Sequence, residues 1–70
     1  MRFIEITSAQ TGMVGYVNAE DITAVSAVSN PLAPDVRAEI IMKGNLTQCI
    51  GVQDTLEEIM AKINEVLNNE

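Results

Sequence analysis

Residues 54–67 read Asp-Thr-Leu-Glu-Glu-Ile-Met-Ala-Lys-Ile-Asn-Glu-Val-Leu, and this stretch decides the fold class. Its apolar residues recur at intervals of three and four, which places them on one face of an α-helix. They are Leu56, Ile59, Met60, Ile63, Val66 and Leu67. Asp54 is the predicted N-cap, and Glu57, three residues later, completes a capping box. Glu58 and Lys62 are spaced for an ion pair on the polar face. The stretch therefore predicts an amphipathic helix that needs an apolar surface to pack against.

The residues before the helix predict that surface as a set of short strands. Alternating apolar and polar side chains are typical of strands with one buried face. The predicted strands cover residues 2–7, 13–18, 22–29, 36–43 and 46–52. Residues 8–12 are predicted to form the first hairpin turn, in which Gly12 supplies unusual backbone dihedrals. Residues 18–21 predict a tight polar turn in which Asn18 bonds to the backbone further on. Gly44-Asn45 predicts the last hairpin turn, and Gly51 a bulge or a close approach within the last strand.

Two local features constrain the third and fourth strands. Ile22 and Val25 are three residues apart rather than two, which predicts a bulge or a helical turn at the start of the third strand. Pro31 and Pro34 fix the backbone and remove two hydrogen-bond donors. Residues 29–35 are therefore predicted to form a loop.

The predicted fold class is α+β, with a five-stranded antiparallel β-meander and one C-terminal helix packed on it. At 70 residues the chain is expected to form a single domain, residues 1–70. The sheet either stays open or curls into a small barrel that hides its edges, and both alternatives remain open. The predicted core consists of Ile4, Ile6, Val17, Ile22, Val25, Ile40, Met42, Ile50, Val52, Leu56, Ile59, Met60 and Ile63.

Several apolar residues fall on the sheet face opposite this core. They are Phe3, Val14, Tyr16, Val28 and Ile41. One helix covers one sheet face, so these residues would form an exposed apolar patch of the kind that marks interfaces. We therefore predict an interface here, with a second copy of the chain or with another protein. The alternative is a barrel that buries both sets of residues.

The net charge of the chain limits the kinds of partner that it is expected to bind. Ten acidic and four basic residues give a net charge of −6, and the basic residues are scattered along the chain. Nucleic-acid binding depends on clustered Lys and Arg, so no nucleic-acid partner is expected, and anionic membrane surfaces are disfavoured. No apolar run reaches membrane-spanning length, and the N-terminus lacks the apolar region of a signal peptide. With one cysteine there is no internal disulfide, which fits a reducing compartment, so we expect a cytoplasmic protein without membrane insertion.

The sequence offers few groups for catalysis. A zinc site of the Cys/His kind is excluded because the chain has one cysteine and no histidine. Cys49 lacks a histidine base, and packing as a small apolar residue is the favoured interpretation. Adjacent carboxylates, Glu20-Asp21 and Glu57-Glu58, do not point at one spot and are read as capping and solvated groups. We therefore predict no catalytic residue, no cofactor and no metal, and no enzymatic activity.

The pattern as a whole resembles the FlbD/SwrD-like family of small bacterial proteins, known mainly from flagellar operons. The features that carry the resemblance are Ile6-Thr7, Thr11-Gly12, Val17-Asn18, Ile22 with Val25, Ile40 with Met42 and Gly44, Val52, and Glu57-Glu58-Ile59 with Ile63. The chain differs from the family in its longer loop with Pro31 and Pro34, in Thr11-Gly12 where Asn-Gly is usual, and in Ser26-Ala27-Val28 replacing an acidic strand. The resemblance implies a small accessory protein without catalytic activity.

The sequence therefore predicts a non-enzymatic protein–protein interaction or accessory module that self-associates, with a dimer as the first expectation and an unidentified protein partner. Two alternatives remain open. One is an acidic regulator or inhibitor, of phage or mobile-element origin, that docks on a basic surface of a host protein. The other is a flagellar accessory protein, which follows from the resemblance alone.

Overall fold

The computed structural model describes residues 2–44 and 49–68, and it contains five strands and one α-helix within them. The elements are β1 (Phe3–Thr7), β2 (Val14–Asn18), a 3₁₀ turn (Ala19–Asp21), β3 (Ile22–Ala27), β4 (Ala38–Met42), β5 (Cys49–Val52) and α1 (Leu56–Asn68). The predicted α+β class is thus confirmed. Strand β3 ends two residues earlier than predicted, and β4 begins two residues later. Residues 46–48 of the predicted fifth strand and Asn45 of the last turn lie outside the described residues.

The strands form two sheets, so the prediction of a single five-stranded meander is wrong. Strands β1 and β2 form an antiparallel hairpin, and β3, β4 and β5 form a three-stranded antiparallel sheet. The sheets do not close into a barrel. Gly12 has the expected positive φ of 73° in the turn between β1 and β2. A side chain at this φ would be strained, which is why glycine is suited to the turn.

The 3₁₀ turn explains why β2 and β3 do not pair. Ala19 is buried, and its N–H donates to the carbonyl of Arg2 at 2.7 Å. Asn18 accepts a hydrogen bond from the Glu20 N–H at 3.1 Å, as predicted for this turn. Because Ala19 is drawn into the core, the chain leaves β2 in a new direction instead of folding back beside it.

Backbone hydrogen bonds at the end of β1 join the two sheets. Ser8 forms an antiparallel bridge with Val52. On either side of it, the Ala9 N–H donates to the Gly51 carbonyl at 3.0 Å, and the Gln53 N–H donates to the Thr7 carbonyl at 2.9 Å. The first and last strands of the chain therefore meet at this seam. Of the two alternatives predicted at Gly51, the bulge is not found, since Gly51 stands in regular register with β4. The close approach is found, because a Cβ at Gly51 would lie 3.4 Å from Val36 Cγ1.

The core lies between the strands and α1. Its buried residues are Ile4, Ile6, Ala19, Ala38, Ile40, Val52 and Ile59. The predicted core residues packed against them are Val17, Ile22, Val25, Met42, Ile50 and Ile63. Leu56 is half-buried. Met60, predicted to be in the core, is 41% exposed. The part of α1 that packs against the strands is narrower than the helix face that carries its apolar residues.

The predicted bulge at the start of β3 is confirmed. Ile22 is paired with Met42, but Ala24 is paired with Ile41, so the register shifts by one residue between them. Residues on one strand face are normally two apart. The shift allows Ile22 and Val25, three apart, both to pack against the core.

A capping box starts α1 one residue later than predicted. The Thr55 hydroxyl accepts from the Glu58 N–H at 3.2 Å, and the Glu58 carboxylate accepts from the Thr55 N–H at 2.9 Å. The two hydrogen bonds satisfy two backbone N–H groups at the start of the helix, which have no acceptor within the helix itself. Donation by the Thr55 N–H holds the pKa of Glu58 below its usual value. The predicted Asp54–Glu57 box is therefore wrong.

Asp54 instead fastens α1 to β1. One carboxylate oxygen accepts from the Thr7 N–H at 2.8 Å, and the other accepts from Lys62 Nζ at 3.1 Å. Lys62 Nζ also donates to the Glu5 carbonyl at 2.7 Å. The helical spacing predicted Glu58 as the partner of Lys62, whereas the ion pair of Lys62 found within the described residues is with Asp54. Burial tends to raise the pKa of Asp54, but the Thr7 N–H and Lys62 together outweigh it and the pKa is lowered.

This lowered pKa makes the stability depend on pH. A carboxylate whose pKa is lower in the folded state stabilises that state above its unfolded pKa, and this contribution is lost as the pH falls through the folded value. We expect Asp54→Asn to lower the free energy of unfolding by an amount on the order of 1 kcal/mol near pH 7. The difference from the wild type should begin to shrink as the pH falls below the ordinary pKa of an aspartate, and it should vanish once the pH is below the lowered pKa of Asp54 in the folded state, where the protonated acid resembles the amide.

Urea unfolding followed by circular dichroism at several pH values measures this difference. Glu20→Gln is the control, since it removes a charge from an exposed position on the 3₁₀ turn. A difference between wild type and Asp54→Asn that stays constant from neutral to acid pH would contradict the ionic role of Asp54.

Burial predicts a second difference in stability. Ile40 is fully buried, while Leu32 in the proline loop is 93% exposed. We expect Ile40→Ala to lower the free energy of unfolding by about 2–5 kcal/mol because it leaves a cavity. Leu32→Ala should change it by no more than about 0.5 kcal/mol. Urea titration compares the two, with Ile40→Val as a milder core variant. Equal urea midpoints for Ile40→Ala and Leu32→Ala would contradict the placement of Ile40 in the core.

Candidate interaction surfaces

Three of the predicted interface residues come together on the hairpin. Phe3, Val14 and Tyr16 are 51%, 59% and 65% exposed. They share the hairpin face that carries Glu5, because Glu5 stands opposite Tyr16 and alternate residues point to the same side. The other face carries the buried Ile4. We call Phe3, Val14 and Tyr16 the outer patch.

The outer patch has one acidic neighbour, and that residue is engaged. The Tyr16 hydroxyl donates to a Glu5 carboxylate oxygen at 3.4 Å across the hairpin. At 3.4 Å this is a long hydrogen bond between exposed groups, and the tyrosine side chain stays largely open to solvent. Tyrosines placed in this way are enriched at protein interfaces.

The other two predicted interface residues lie elsewhere. Ile41 is half-buried on β4, where it stands opposite Ala24 and Cys49. Val28 is half-buried beyond the end of β3, and its N–H donates to the Arg37 carbonyl at 3.0 Å. Both belong to the three-stranded sheet and its connection. The predicted second face is therefore divided between two sheets, and its most exposed apolar part is the hairpin.

A groove between β3 and α1 was missed from the sequence. Its volume is about 230 Å³, and it is lined by residues 22–25 on one side and by Met60, Ile63 and Leu67 on the other. The bulge between Ile22 and Ala24 interrupts the alternation of strand faces at this point, and all four residues from 22 to 25 line the groove. The apolar face of α1 was the signal that could have revealed this groove. Met60 and Leu67 make that face wider than one sheet face can cover.

Cys49 lies in a separate depression. Its volume is about 290 Å³, and its lining combines Ser8, Gln10 and Val36 with residues of β5. Cys49 is exposed, so the prediction that it packs as a small apolar residue is wrong. It is the one ionisable group among the lining residues that the structure describes.

The acidic residues considered for catalysis are placed separately. Glu20 and Asp21 are exposed on the 3₁₀ turn, and Glu58 is engaged in the capping box of α1. In the part of the chain that is described, no three His, Cys, Asp or Glu side chains are grouped so that they could hold a metal ion. Along residues 2–44 and 49–68, no helix has the length and apolar character that crossing a membrane requires.

Comparison of the chain with protein-family models, with curated proteins and with solved structures gives no match. The resemblance to FlbD/SwrD-like proteins stays a prediction.

Proposed function

We propose that this protein is a non-enzymatic protein–protein interaction module that forms a homodimer through the outer patch. The exposure of Phe3, Val14 and Tyr16 on one face of a hairpin carries this proposal. Exposed apolar side chains grouped on one face of a small domain cost free energy when hydrated and are typical of interfaces. A domain of this size also buries a small fraction of its surface alone and gains stability by association.

The edge of the hairpin supports association with a second copy. Strand β2 reads Val-Gly-Tyr-Val-Asn and contains no charged residue and no proline. Its register with β1 is regular, without a bulge. Charged residues, prolines and bulges are the features by which soluble proteins usually protect an edge strand from pairing with another chain. Two β2 strands pairing about a twofold axis would join the two outer patches into one apolar surface.

The carboxylates support a structural rather than catalytic interpretation. The two whose pKa values are shifted, Asp54 and Glu58, are both used to start and fasten α1. A general acid is typically a carboxyl with a raised pKa in a cleft. Here both pKa values are lowered by structural hydrogen bonds. The FlbD/SwrD resemblance favours the same class of small accessory protein, and a flagellar role is the form of the proposal that it suggests.

Substitution of Tyr16 tests the dimer. Tyr16→Lys places a cation opposite Glu5, so the hairpin keeps a favourable cross-strand pair while the outer patch gains a charge. Leu32→Lys is the matched control, because it adds the same charge at an exposed apolar residue in the proline loop. In sedimentation equilibrium at about 150 mM salt, we expect wild type and Leu32→Lys to have twice the mass of one chain. Tyr16→Lys should raise the dissociation constant at least about tenfold.

Circular dichroism of each variant confirms that the fold is kept. A wild-type protein that remains monomeric up to millimolar concentration would overturn the proposed dimer. Equal dissociation constants for Tyr16→Lys and Leu32→Lys would show that the outer patch is not part of the dimer interface.

A further inference from the structure

The open edge of β2 presents the backbone groups of alternate residues. In the described part of the chain, β1 is the only strand paired with β2. The Ser8 N–H donates to the Met13 carbonyl at 2.9 Å, and the Ala19 N–H makes the corresponding bond to β1 at the other end. Along an antiparallel pair, residues that bond to the partner strand alternate with residues whose N–H and C=O groups point away from it. The odd-numbered residues therefore bond to β1, and Val14 and Tyr16 present their N–H and C=O groups at the open edge.

Two copies of this edge match each other in an antiparallel register centred on Gly15. With Gly15 on a twofold axis, Val14 of each copy stands opposite Tyr16 of the other, and the outward-pointing groups of both residues are satisfied. The next register in either direction would instead pair one of them with Asn18 or with Gly12 of the turn. Asn18 is polar, and Gly12 has a positive φ of 73° that is not extended. The register at Gly15 is thus the one that pairs apolar, extended residues with each other.

The inner face of β2 gives Gly15 and Met13 a part in this register. Gly15 lies in regular register with β1, and a Cβ built on it would meet nothing within 4 Å. No contact within the single chain therefore requires glycine here, and a glycine inside a strand often marks a place where another backbone approaches. Met13 is 70% exposed. About the axis it stands beside Val17 of the other copy, where its flexible side chain can fill the recess left by two glycines.

Charge favours the antiparallel direction over a parallel one. Strand β2 contains no charged residue, whereas Glu20 and Asp21 directly follow it. A twofold axis at Gly15 places these acidic turns at opposite ends of the strand pair, more than about 20 Å apart. This distance is well beyond the Debye length of about 8 Å at physiological salt. A parallel pair would place the carboxylates of the two copies side by side, on a chain whose net charge is already −6.

We propose that two copies of the chain form one continuous four-stranded antiparallel sheet, in which β2 pairs with β2 about a twofold axis at Gly15. The inference rests on the proposed homodimer, and it adds the edge, the direction and the register of the pairing. Each of the two Val14–Tyr16 pairs exchanges two backbone N–H···O bonds across the interface. The outer patches of both copies then lie side by side on one face of the sheet, rather than packing face to face.

Cysteine cross-linking tests the register. All variants carry Cys49→Ser, which removes the exposed native thiol. Residue 15 of one copy would face residue 15 of the other in a non-hydrogen-bonded pair, with Cα atoms about 4.5 Å apart, which a disulfide spans. The two copies of residue 16 would be diagonal neighbours, about 7–8 Å apart. We therefore expect Gly15→Cys to form a disulfide-linked dimer on oxidation at least about tenfold faster than Tyr16→Cys.

A mixture of two cysteine variants tests the direction of the strands. Met13→Cys and Val17→Cys stand opposite each other only in the antiparallel register. Oxidation of their mixture should therefore give the mixed disulfide in excess over both disulfides between identical chains, and mass spectrometry separates the three products.

Proline at the edge tests the backbone pairing by a separate route. Val14→Pro removes an N–H that points away from β1, so the hydrogen bonds within the hairpin are kept. Val14→Ala is the matched control, because it also removes the valine side chain but keeps this N–H. In sedimentation equilibrium we expect the dissociation constant of Val14→Pro to be at least about tenfold above that of Val14→Ala. Circular dichroism confirms that each variant is folded.

Several results would overturn the register while leaving the homodimer in place. They are equal dissociation constants for Val14→Pro and Val14→Ala, cross-linking of Tyr16→Cys as fast as that of Gly15→Cys, and an excess of disulfides between identical chains in the mixture. The first would indicate outer patches packed face to face, the second a shifted register, and the third parallel strands. A wild-type protein that stays monomeric would overturn the proposed function and this inference together.

Discussion

The carboxylate of Asp54 holds together three parts of the chain that are far apart in sequence. It accepts the Thr7 N–H at the end of β1 and pairs with Lys62 in the second turn of α1. Two residues before it, Val52 bridges to Ser8 and joins the two sheets. Without this junction, the hairpin would be linked to the remaining strands mainly by its 3₁₀ turn and by apolar contact with α1. The orientation of the hairpin, and with it the outer patch, depends on this point.

Local patterns in the sequence predicted the elements better than their arrangement. Alternation and helical spacing are properties of neighbouring residues, so the five strands and α1 were predicted, together with the bulge at Ile22. Strand pairing depends on contacts between distant residues, and the bridge between Ser8 and Val52 has no local signal. The capping box was predicted one residue early because Asp54 and Thr55 are both good N-caps, and the choice was made by Thr7, 47 residues away.

The interaction surfaces were predicted in part for the same reason. The outer patch follows from alternation, because Phe3, Val14 and Tyr16 lie opposite the core residues of their own strands. The β3–α1 groove depends on how far α1 lies from the edge of β3, which spacing does not encode. Met60 was assigned to the core on its helical spacing, and its exposure became clear once the width of the packed stripe was known.

Burial of Ala19 accounts for both surfaces. Had β2 turned tightly into β3, the two strands would have paired and neither edge would have been free. A methyl side chain fits against α1 without pushing the helix away, so the chain can turn inward at Ala19 and separate the strands. The two free edges then face different surroundings: β2 borders the outer patch, and β3 borders the groove beside α1. Association through β2 leaves β3 open in each protomer, so a dimer would present two grooves.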